Sequence, residues 1–339
     1  MSAGTAGKCK NGMNSFVSIL LRWFHENGRP LPWRQTRDPY AIWLSEIILQ
    51  QTRIEQGLPY WERFMRRWPT VQLLASATED EVLLEWQGLG YYSRARNLHY
   101  AARQITSMGG FPTTLDGLKS LKGVGDYTAA AIGSIAFDLP AAVVDGNVFR
   151  VLARHFGIFT PINTTEGKKE FTALAQSLLP ADQASLFNQA MMDFGAIQCT
   201  PASPRCACCP LQETCSAFRE GRIGELPVKL KTLKVTERRL QYIYIRYKGM
   251  TAIRRRPAGD IWQGLYEPWL AESVPLGAVM LRQHVKHVLT HRILYADFWL
   301  WEPAEKPPLP GDYIWIAEQD ISQYAVPRLI EILLDSLPI

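Results

Sequence analysis

The sequence lacks the features of membrane, repeat and low-complexity proteins. No uninterrupted apolar stretch reaches the roughly 18 to 20 residues that a membrane helix needs, and no internal repeat or biased tract is present. The first residues, MSAGTAGKCKNG, lack the apolar core of a signal peptide. These absences predict a soluble, cytoplasmic protein with no membrane partner.

The chain also has a small net charge and few cysteines. The 339 residues contain 37 Lys and Arg against 32 Asp and Glu, and the net charge of +5 is too small to establish a nucleic-acid partner by itself. Six cysteines are present; Cys9 stands alone and the other five lie between Cys199 and Cys215. This clustering excludes a scattered disulfide framework and favours a reducing compartment.

The spacing of apolar residues changes once along the chain. From Ser15 to about Phe218 they recur mostly at helical intervals. From Gly224 a connector bearing Pro and Lys, ELPVKLKTLKVTERR, precedes segments that alternate or run apolar as strands do: QYIYIRY, HRILYADFWLW and DYIWIA. We therefore expect a multi-domain protein. A mostly helical domain over residues 1–225 is followed by a linker over residues 226–236 and a smaller α+β domain over residues 237–339.

Four cysteines have a spacing typical of a single metal centre. Cys199, Cys206, Cys209 and Cys215 form the pattern C-x6-C-x2-C-x5-C on a proline-bearing segment. Zinc also accepts four thiolates, but zinc ribbons usually use two separated C-x2-C pairs, so the spacing favours an iron-sulfur cluster only modestly. Unligated reduced cysteines are a further alternative, and Cys208 is interpreted as a spare thiol.

A pair of glycines marks a turn between two helical segments in LKSLKGVGDYTAAAIGSIAF. Gly123 and Gly125 permit a tight turn and a close approach of the backbone to a partner. The second helix is expected to open at Asp126 or Tyr127, where free N–H groups and the positive end of the helix dipole suit a backbone phosphate. A plain helix-helix turn would use the same residues, so this motif does not decide the function alone.

Several motifs together identify a family. Their order and spacing resemble those of the helix-hairpin-helix DNA glycosylases with a 4Fe-4S loop: LKGVGDYT at 121–128, VDGNV at 144–148 and the cysteine pattern. Further segments resemble the adenine DNA glycosylases within that family: LPWR at 31–34, SEIILQQTRIE at 45–55, GLGYYSRARNL at 88–98 and FNQAMMDFGAIQCTP at 187–201. The resemblance covers residues 14–225. It implies a monomeric base excision repair enzyme, a 4Fe-4S cluster held by the four cysteines, and duplex DNA with adenine opposite 8-oxoguanine or guanine.

Two carboxylates are candidates for the chemistry. Glu46 projects from the apolar stripe of a predicted helix, where burial would raise its pKa towards that of a general acid, although a solvated surface charge is the common alternative. Asp145 precedes the helical segment GNVFRVLARHF, where an N-cap would accept hydrogen bonds that favour its ionised form. The resemblance implies that Glu46 protonates adenine while Asp145 stabilises the sugar cation, as in a retaining glycosidase.

The resemblance assigns roles to further residues. Tyr127 occupies the position of the Schiff-base lysine of related glycosylase/lyases, so we expect a monofunctional glycosylase in which Tyr127 orients Asp145 or the sugar. Asn147 is expected to support Asp145. Side chains that fill the gap left by the flipped base are Gln51, Leu89 and Tyr91, and those that line the adenine pocket are Arg34, near Glu46, and Gln189.

The C-terminal part resembles a Nudix domain that has lost its metal site. The resemblance lies in RRRPAGDIWQGLYEPW at 254–269. Nudix hydrolases then carry an acidic helix, R-E-x2-E-E, that holds Mg²⁺, whereas between Asp260 and Thr290 this chain has only Glu267 and Glu272 as further acids. Metal-dependent nucleotide hydrolysis is therefore not expected.

A loop in this part is a candidate for reading the base opposite adenine. Residues 286–301 resemble the segment whose Phe-Ser-His loop recognises 8-oxoguanine in adenine DNA glycosylases, and the chain has Leu289, Thr290 and His291 there. Thr290 keeps a hydroxyl that can bond a base edge and His291 keeps the imidazole, while the aromatic ring is absent.

Two other functions stay open at this stage. A pyrimidine-lesion DNA glycosylase/AP lyase of the same superfamily is disfavoured by Tyr127 and by the additional C-terminal domain. A non-catalytic iron-sulfur DNA-binding protein would share the hairpin and the cysteine loop, but it would have no use for the pair Glu46 and Asp145.

Overall fold

The computed structural model describes residues 4–230 and 235–338, with side chains from Ser15 onward. Within these residues the α-helices are α1 (Gly4–Asn27), α2 (Pro39–Leu49), α3 (Ile54–Arg67), α4 (Val71–Ser76), α5 (Glu79–Trp86), α6 (Ser93–Ser107), α7 (Leu115–Lys119), α8 (Asp126–Phe137), α9 (Gly146–Phe156), α10 (Thr165–Leu178), α11 (Ala184–Asp193), α12 (Ser216–Arg219) and α13 (Arg328–Leu334). The strands are β1 (Thr236–Ile245), β2 (Met250–Arg255), β3 (Tyr266–Leu270), β4 (Val279–Val288), β5 (Arg292–Trp301) and β6 (Tyr313–Ala317). A mostly helical region followed by a smaller α+β domain is therefore confirmed. The side chain of Cys9 lies outside the described residues.

The chain forms two compact units. Residues 1–50 and 104–231 make up the first unit, and residues 51–103 and 232–339 make up the second. This grouping in space differs from the linear division predicted at residues 225 and 236, which stays a prediction. None of the helices in the described part of the chain is long and apolar enough to cross a membrane.

The first unit is built around helices that bury a continuous apolar face. In α9 the buried apolar side chains Val148, Val151 and Leu152 recur at three- and four-residue intervals, and the run from Arg150 to His155 is buried throughout. Their partners include Phe16 and Leu20 of α1, Phe171 of α10 and Phe187 of α11. Burial of each such side chain contributes about 1.5–3 kcal/mol, so this cluster fixes the helix whose first residue follows Asp145.

Helices α7 and α8 form the predicted hairpin. Gly123 has φ of +81°, which L side chains rarely adopt, and Gly125 is the N-cap of α8. The second helix opens at Asp126, as predicted. Small residues such as Ala129 and Ala130 are buried along α8, while the glycines at its start are exposed. The hairpin is thus anchored by α8 and presents its turn to solvent.

The second unit contains a six-stranded sheet in the order β4-β5-β1-β3-β2-β6. Strands β1 and β5 are parallel, with Tyr242 opposite Phe298, and the other neighbouring pairs are antiparallel. Helix α13 covers one face and buries Leu329, Ile330 and Leu333 against Tyr242 and Phe298. Strands β1, β5 and β6 contain the three segments predicted from their apolar patterns, whereas β2, β3 and β4 were not predicted.

Helices of the second unit are tied to its sheet and to α13 by specific contacts. The Gln87 side chain donates to Glu331 Oε1 at 2.7 Å and accepts from the Val326 amide at 3.0 Å. Arg255 of β2 forms an ion pair with Glu79 at 2.7 Å. These contacts join α5 and the turn that follows it to β2, to α13 and to the segment before α13.

Candidate active site

Glu46 is buried within a helix that has no solvent-facing side. Every residue of α2 from Tyr40 to Ile48 is buried, and Glu46 itself is only 7% exposed. Burial is the largest influence on its carboxyl, and the charge of Asp145 adds to it; Tyr127 and Arg34 oppose them. The pKa of Glu46 is raised from 4.5 to about 7 as a result. The predicted burial is confirmed, and the carboxyl can hold a proton near neutral pH.

Tyr127 contacts Glu46 rather than Asp145. Its hydroxyl donates a hydrogen bond to Glu46 Oε2 at 2.7 Å. The first turn of α8 directs the phenol towards α2, and the role of Tyr127 in orienting Asp145 or the sugar stays a prediction. This hydrogen bond favours the ionised carboxylate, and it limits the rise in the pKa of Glu46.

Replacing Tyr127 by Phe is expected to move the alkaline limb of the base-excision rate to higher pH. Without the hydroxyl, the Glu46 carboxylate loses a stabilising donor, so its pKa should rise above 7 by roughly one unit. Single-turnover rates measured from pH 5.5 to 9 test the shift. The exposed Tyr100 supplies the control, since Tyr100→Phe should leave the profile unchanged. An unshifted limb in Tyr127→Phe would show that the phenol does not govern the titration.

Asp145 is held at the start of α9 by three hydrogen bonds. Its Oδ1 accepts from the amides of Asn147 at 2.9 Å and Val148 at 2.8 Å, and its Oδ2 accepts from Asn147 Nδ2 at 2.7 Å. The predicted N-cap and the predicted support by Asn147 are both present. The cap bonds lower the pKa of Asp145, as expected, but burial outweighs them and raises that pKa above 3.8.

Arg34 is paired with a carboxylate that sequence reasoning missed. Its guanidinium donates to both oxygens of Asp193, at 2.7 and 2.8 Å, and Asp193 is fully buried. Arg29 donates to the same carboxylate through its amide at 3.0 Å. Burial raises the pKa of Asp193, but the bonds from Arg34 and Arg29 together hold it below 3.8. The positive charge of Arg34 also lowers the pKa of Glu46, so Arg34 lies near Glu46 as predicted.

Gln189 lies in a separate small cavity of the first unit. Its amide donates to Ser185 Oγ at 3.0 Å, and it lines a space of about 240 Å³ with Arg37, Asp138 and Asp182. No contact between Gln189 and Glu46 is found among the described residues. Its assignment to the adenine pocket stays a prediction.

The turn between α7 and α8 has the geometry of a phosphate seat. Gly123 and Gly125 are exposed, and, its chain neighbours aside, no heavy atom of the described residues lies within 4 Å of the position that a Cβ of Gly125 would occupy. The first N–H groups of α8 have no acceptor within their own helix. An oxygen of a DNA backbone phosphate can therefore approach the turn closely.

Two residues of the second unit that are predicted to contact DNA lie within hydrogen-bond distance of each other. The hydroxyls of Tyr91 and Thr290 lie 2.6 Å apart. Both side chains line a cavity of about 520 Å³, which is also lined by Leu89, Trp262 and His287. This is a volume typical of small-ligand sites, so the candidate base-reading loop faces a space that can accept a nucleobase.

The remaining predicted DNA contacts differ in exposure. Tyr91 is 47% exposed and Gln51 is also exposed, and their φ angles of +46° and +59° are unusual for residues other than glycine. Such strain often accompanies function. His291 is exposed, whereas Leu89 is only 6% exposed. Leu89 would have to move to fill a gap in the duplex.

The four predicted metal ligands line one cavity of the first unit. Cys199, Cys206, Cys209 and Cys215 are all free thiols around it, and Cys208 is free but exposed and outside the lining. Burial raises the pKa of the Cys209 thiol to about 11. Within the described residues, no three His, Cys, Asp or Glu side chains are arranged as a site for a single metal ion.

Comparison with known proteins gives matches to both parts of the chain. The family model described as HhH-GPD superfamily base excision DNA repair protein matches residues 44–181, and the NUDIX domain model matches residues 241–336. An adenine DNA glycosylase of Buchnera aphidicola subsp. Schizaphis graminum is 35% identical over 254 residues, 74% of this chain and 73% of that protein.

A mammalian relative and a solved structure also match this chain. An adenine DNA glycosylase of Mus musculus is 44% identical over 225 residues, which are 63% of this chain and 44% of that protein. The structure of a thermostable thymine-DNA glycosylase is 32% identical, with a TM-score of 0.58, and the match covers 62% of this chain and 99% of that one.

Proposed function

The chain belongs to the adenine DNA glycosylases of the HhH-GPD superfamily, and from this membership we propose how its site releases adenine from duplex DNA. It is a DNA N-glycosylase of base excision repair. One observation carries the mechanism: the buried Glu46 carboxyl has a pKa raised to about 7 and feels the charge of Asp145, a carboxylate held by the start of α9. The site thus contains a proton donor and an anion together.

The reaction begins when adenine leaves the base stack. A base inside a duplex cannot reach a buried carboxyl, so it must be flipped at a cost of a few kcal/mol. Glu46 in its protonated form then donates to N7 of adenine, which makes the base a better leaving group. General acid assistance of this kind typically contributes 10²- to 10⁴-fold in rate.

Asp145 acts on the deoxyribose as the N-glycosidic bond breaks. It accepts three hydrogen bonds, which favour its ionised form, whereas Glu46 accepts one from Tyr127, so we assign the anionic role to Asp145. Its negative charge stabilises the oxocarbenium-like deoxyribose, and water completes hydrolysis to an abasic site. The phenol of Tyr127 cannot form an imine with the sugar, so the enzyme is monofunctional.

The second unit supplies the preference for the base opposite adenine. The cavity beside Tyr91 and Thr290 brings two hydroxyls and the ring of Trp262 to one space. Hydroxyls can donate to or accept from the altered edge of 8-oxoguanine. We therefore assign adenine opposite 8-oxoguanine, and secondarily opposite guanine, as the substrate of a monomeric enzyme bound to one duplex.

An assay on defined duplexes tests this function. The protein is incubated with adenine placed opposite 8-oxoguanine, guanine or thymine, and abasic sites are then cleaved with alkali. Adenine excision opposite 8-oxoguanine, with strand breaks appearing only after alkali, is the expected result. Stoichiometric trapping of an enzyme–DNA adduct by borohydride would contradict the monofunctional mechanism.

Substituting Thr290 is expected to weaken discrimination between partner bases. Thr290→Val keeps the shape but removes the hydroxyl that meets Tyr91, so a bond of about 0.5–1.5 kcal/mol is lost. The ratio of excision rates opposite 8-oxoguanine and guanine should fall by roughly 2- to 10-fold. Thr290→Ser, which keeps the hydroxyl, is the matched control. Equal ratios in all three proteins would remove Thr290 from base reading.

The cysteine cavity fits a 4Fe-4S cluster as the resident cofactor. Four thiols line one space, and Arg154 already donates to Cys199 Sγ at 3.5 Å, which suits a thiolate ligand. Zinc also accepts four thiolates, and analysis of the purified protein for iron, sulfide and zinc distinguishes the two. When bound, the cluster would hold the loop that follows Cys199 in place, and no step of base excision passes through it.

Two neighbouring cysteines provide a matched test of the ligand set. Cys209→Ser is expected to lose most of the iron, sulfide and visible absorbance, because it removes one of four thiolate ligands. Cys208→Ser should keep all three, since Cys208 is exposed and outside the cavity lining. Zinc in place of iron and sulfide in the purified parent would exclude the cluster.

A further inference from the structure

A histidine lines the same cavity as the four cysteines and has a buried ring nitrogen without a hydrogen-bond partner among the described residues. His155 lies on α9 next to Arg154, is only 8% exposed, and lines the cavity together with the four cysteines. Its Nδ1 is buried without a hydrogen-bond partner in the described part of the chain. A buried nitrogen without a partner costs free energy, so such an atom calls for a ligand.

The ring of His155 is fixed by its neighbours. Phe16 and Phe156 each place their ring centroid 4.7 Å from that of His155. Burial lowers its pKa to about 4, so the imidazole is neutral at pH 7 and carries one N–H. The packing leaves little freedom for the ring to turn towards another partner.

The two other buried polar side chains around the cavity, Arg154 and Gln198, are already engaged. Arg154 donates to the Thr200 carbonyl at 2.7 Å as well as to Cys199, and Gln198 donates to the Arg205 carbonyl. Among the buried side-chain atoms without partners in the described residues, His155 Nδ1 is the one that belongs to this cavity. Its missing acceptor is therefore to be sought inside the cavity.

We propose that His155 donates its Nδ1–H to a sulfur of the bound 4Fe-4S cluster and thereby raises the cluster's reduction potential. This inference rests on the proposed cofactor. A hydrogen-bond donor facing a cluster sulfur stabilises the additional negative charge of the reduced form, and such bonds are among the main determinants of cluster potentials. His155 is a positioning residue here, because it touches neither DNA nor the reacting atoms.

A pair of substitutions of similar size tests the proposal by voltammetry. His155→Leu removes the donor, whereas His155→Asn keeps an N–H near the position of Nδ1. With equal iron and sulfide content, His155→Leu should show a lower potential than the parent, and His155→Asn should stay close to the parent. Equal potentials in all three proteins would overturn the proposal.

A spectroscopic measurement on the unsubstituted protein covers the case in which His155→Leu does not fold. The protein is prepared with ring ¹⁵N-labelled histidine, its cluster is oxidised chemically to a paramagnetic state, and pulsed EPR measures couplings. A ¹⁵N coupling that is missing from His155→Asn is expected, and its absence in the parent would also overturn the proposal. A protein that excises adenine yet contains no iron or sulfide would instead refute the cofactor, with the excision function intact.

Discussion

Glu46→Gln is expected to lower single-turnover excision of adenine by roughly 10²- to 10⁴-fold while leaving DNA binding nearly unchanged. Glutamine fills the same buried space and can still accept the hydrogen bond from Tyr127, so α2 should keep its packing. It cannot donate the acidic proton that adenine needs to depart. The single-turnover rate at saturating enzyme measures the loss of the proton donor. The affinity for an uncleavable duplex measures DNA binding separately.

The pH dependence adds a second signature to this substitution. In the parent, Glu46 has a pKa of about 7, so the protonated fraction and the rate should both fall as the pH rises above neutrality. That alkaline limb should be absent from the residual activity of Glu46→Gln. Glu166→Gln, at an exposed position in the first turn of α10, serves as the control and should behave as the parent does. An excision rate in Glu46→Gln equal to that of the parent would contradict the acid-catalysis mechanism.

Local sequence pattern was sufficient for features that depend on near neighbours. The burial of Glu46 follows from the apolar residues around it in α2, and the capping role of Asp145 follows from its place between AAVV and a helical segment. The two glycines located the start of α8 for the same reason. In each case the decisive interactions span only a few residues along the chain.

Long-range contacts were beyond the reach of such patterns. Arg34 meets Asp193 across 159 residues, and Tyr127 meets Glu46 across 81. Neither pairing has a local signature, and the resemblance, which placed Arg34 near Glu46 and Tyr127 near Asp145 or the sugar, did not give these partners. Asp193 could have been suspected only because it lies within the motif FNQAMMDFGAIQCTP and an acid is unusual among those apolar residues.

Strand prediction failed where burial does not follow an alternating apolar pattern. Strand β4 lies at an edge of the sheet and exposes most of its residues, including Arg282 and Lys286, and its apolar residues do not alternate regularly with polar ones. Strand β3 contains Pro268, which usually argues against a strand. Pairing with neighbours supplied by distant segments determines both strands.

Asp145→Asn is expected to reduce adenine excision by roughly 10²- to 10³-fold with little effect on folding, because charge is lost while the cap is kept. Asparagine caps helices about as well as aspartate, and its side-chain oxygen can still accept from the amides of Asn147 and Val148. The helix should therefore start at the same residue. The sugar cation, however, would face a neutral amide in place of a carboxylate.

The same substitution should move the pH profile in the direction opposite to Tyr127→Phe. Since the charge of Asp145 raises the pKa of Glu46, its removal should lower that pKa, and the alkaline limb of the residual activity should shift to lower pH. Asp38→Asn is the matched control, because Asp38 also caps a helix, α2, and accepts from the Tyr40 amide at 3.0 Å. Equal melting temperatures with a rate loss confined to Asp145→Asn would separate catalysis from capping. A parental rate, or equal losses in both variants, would mean that the charge at Asp145 does not stabilise the transition state.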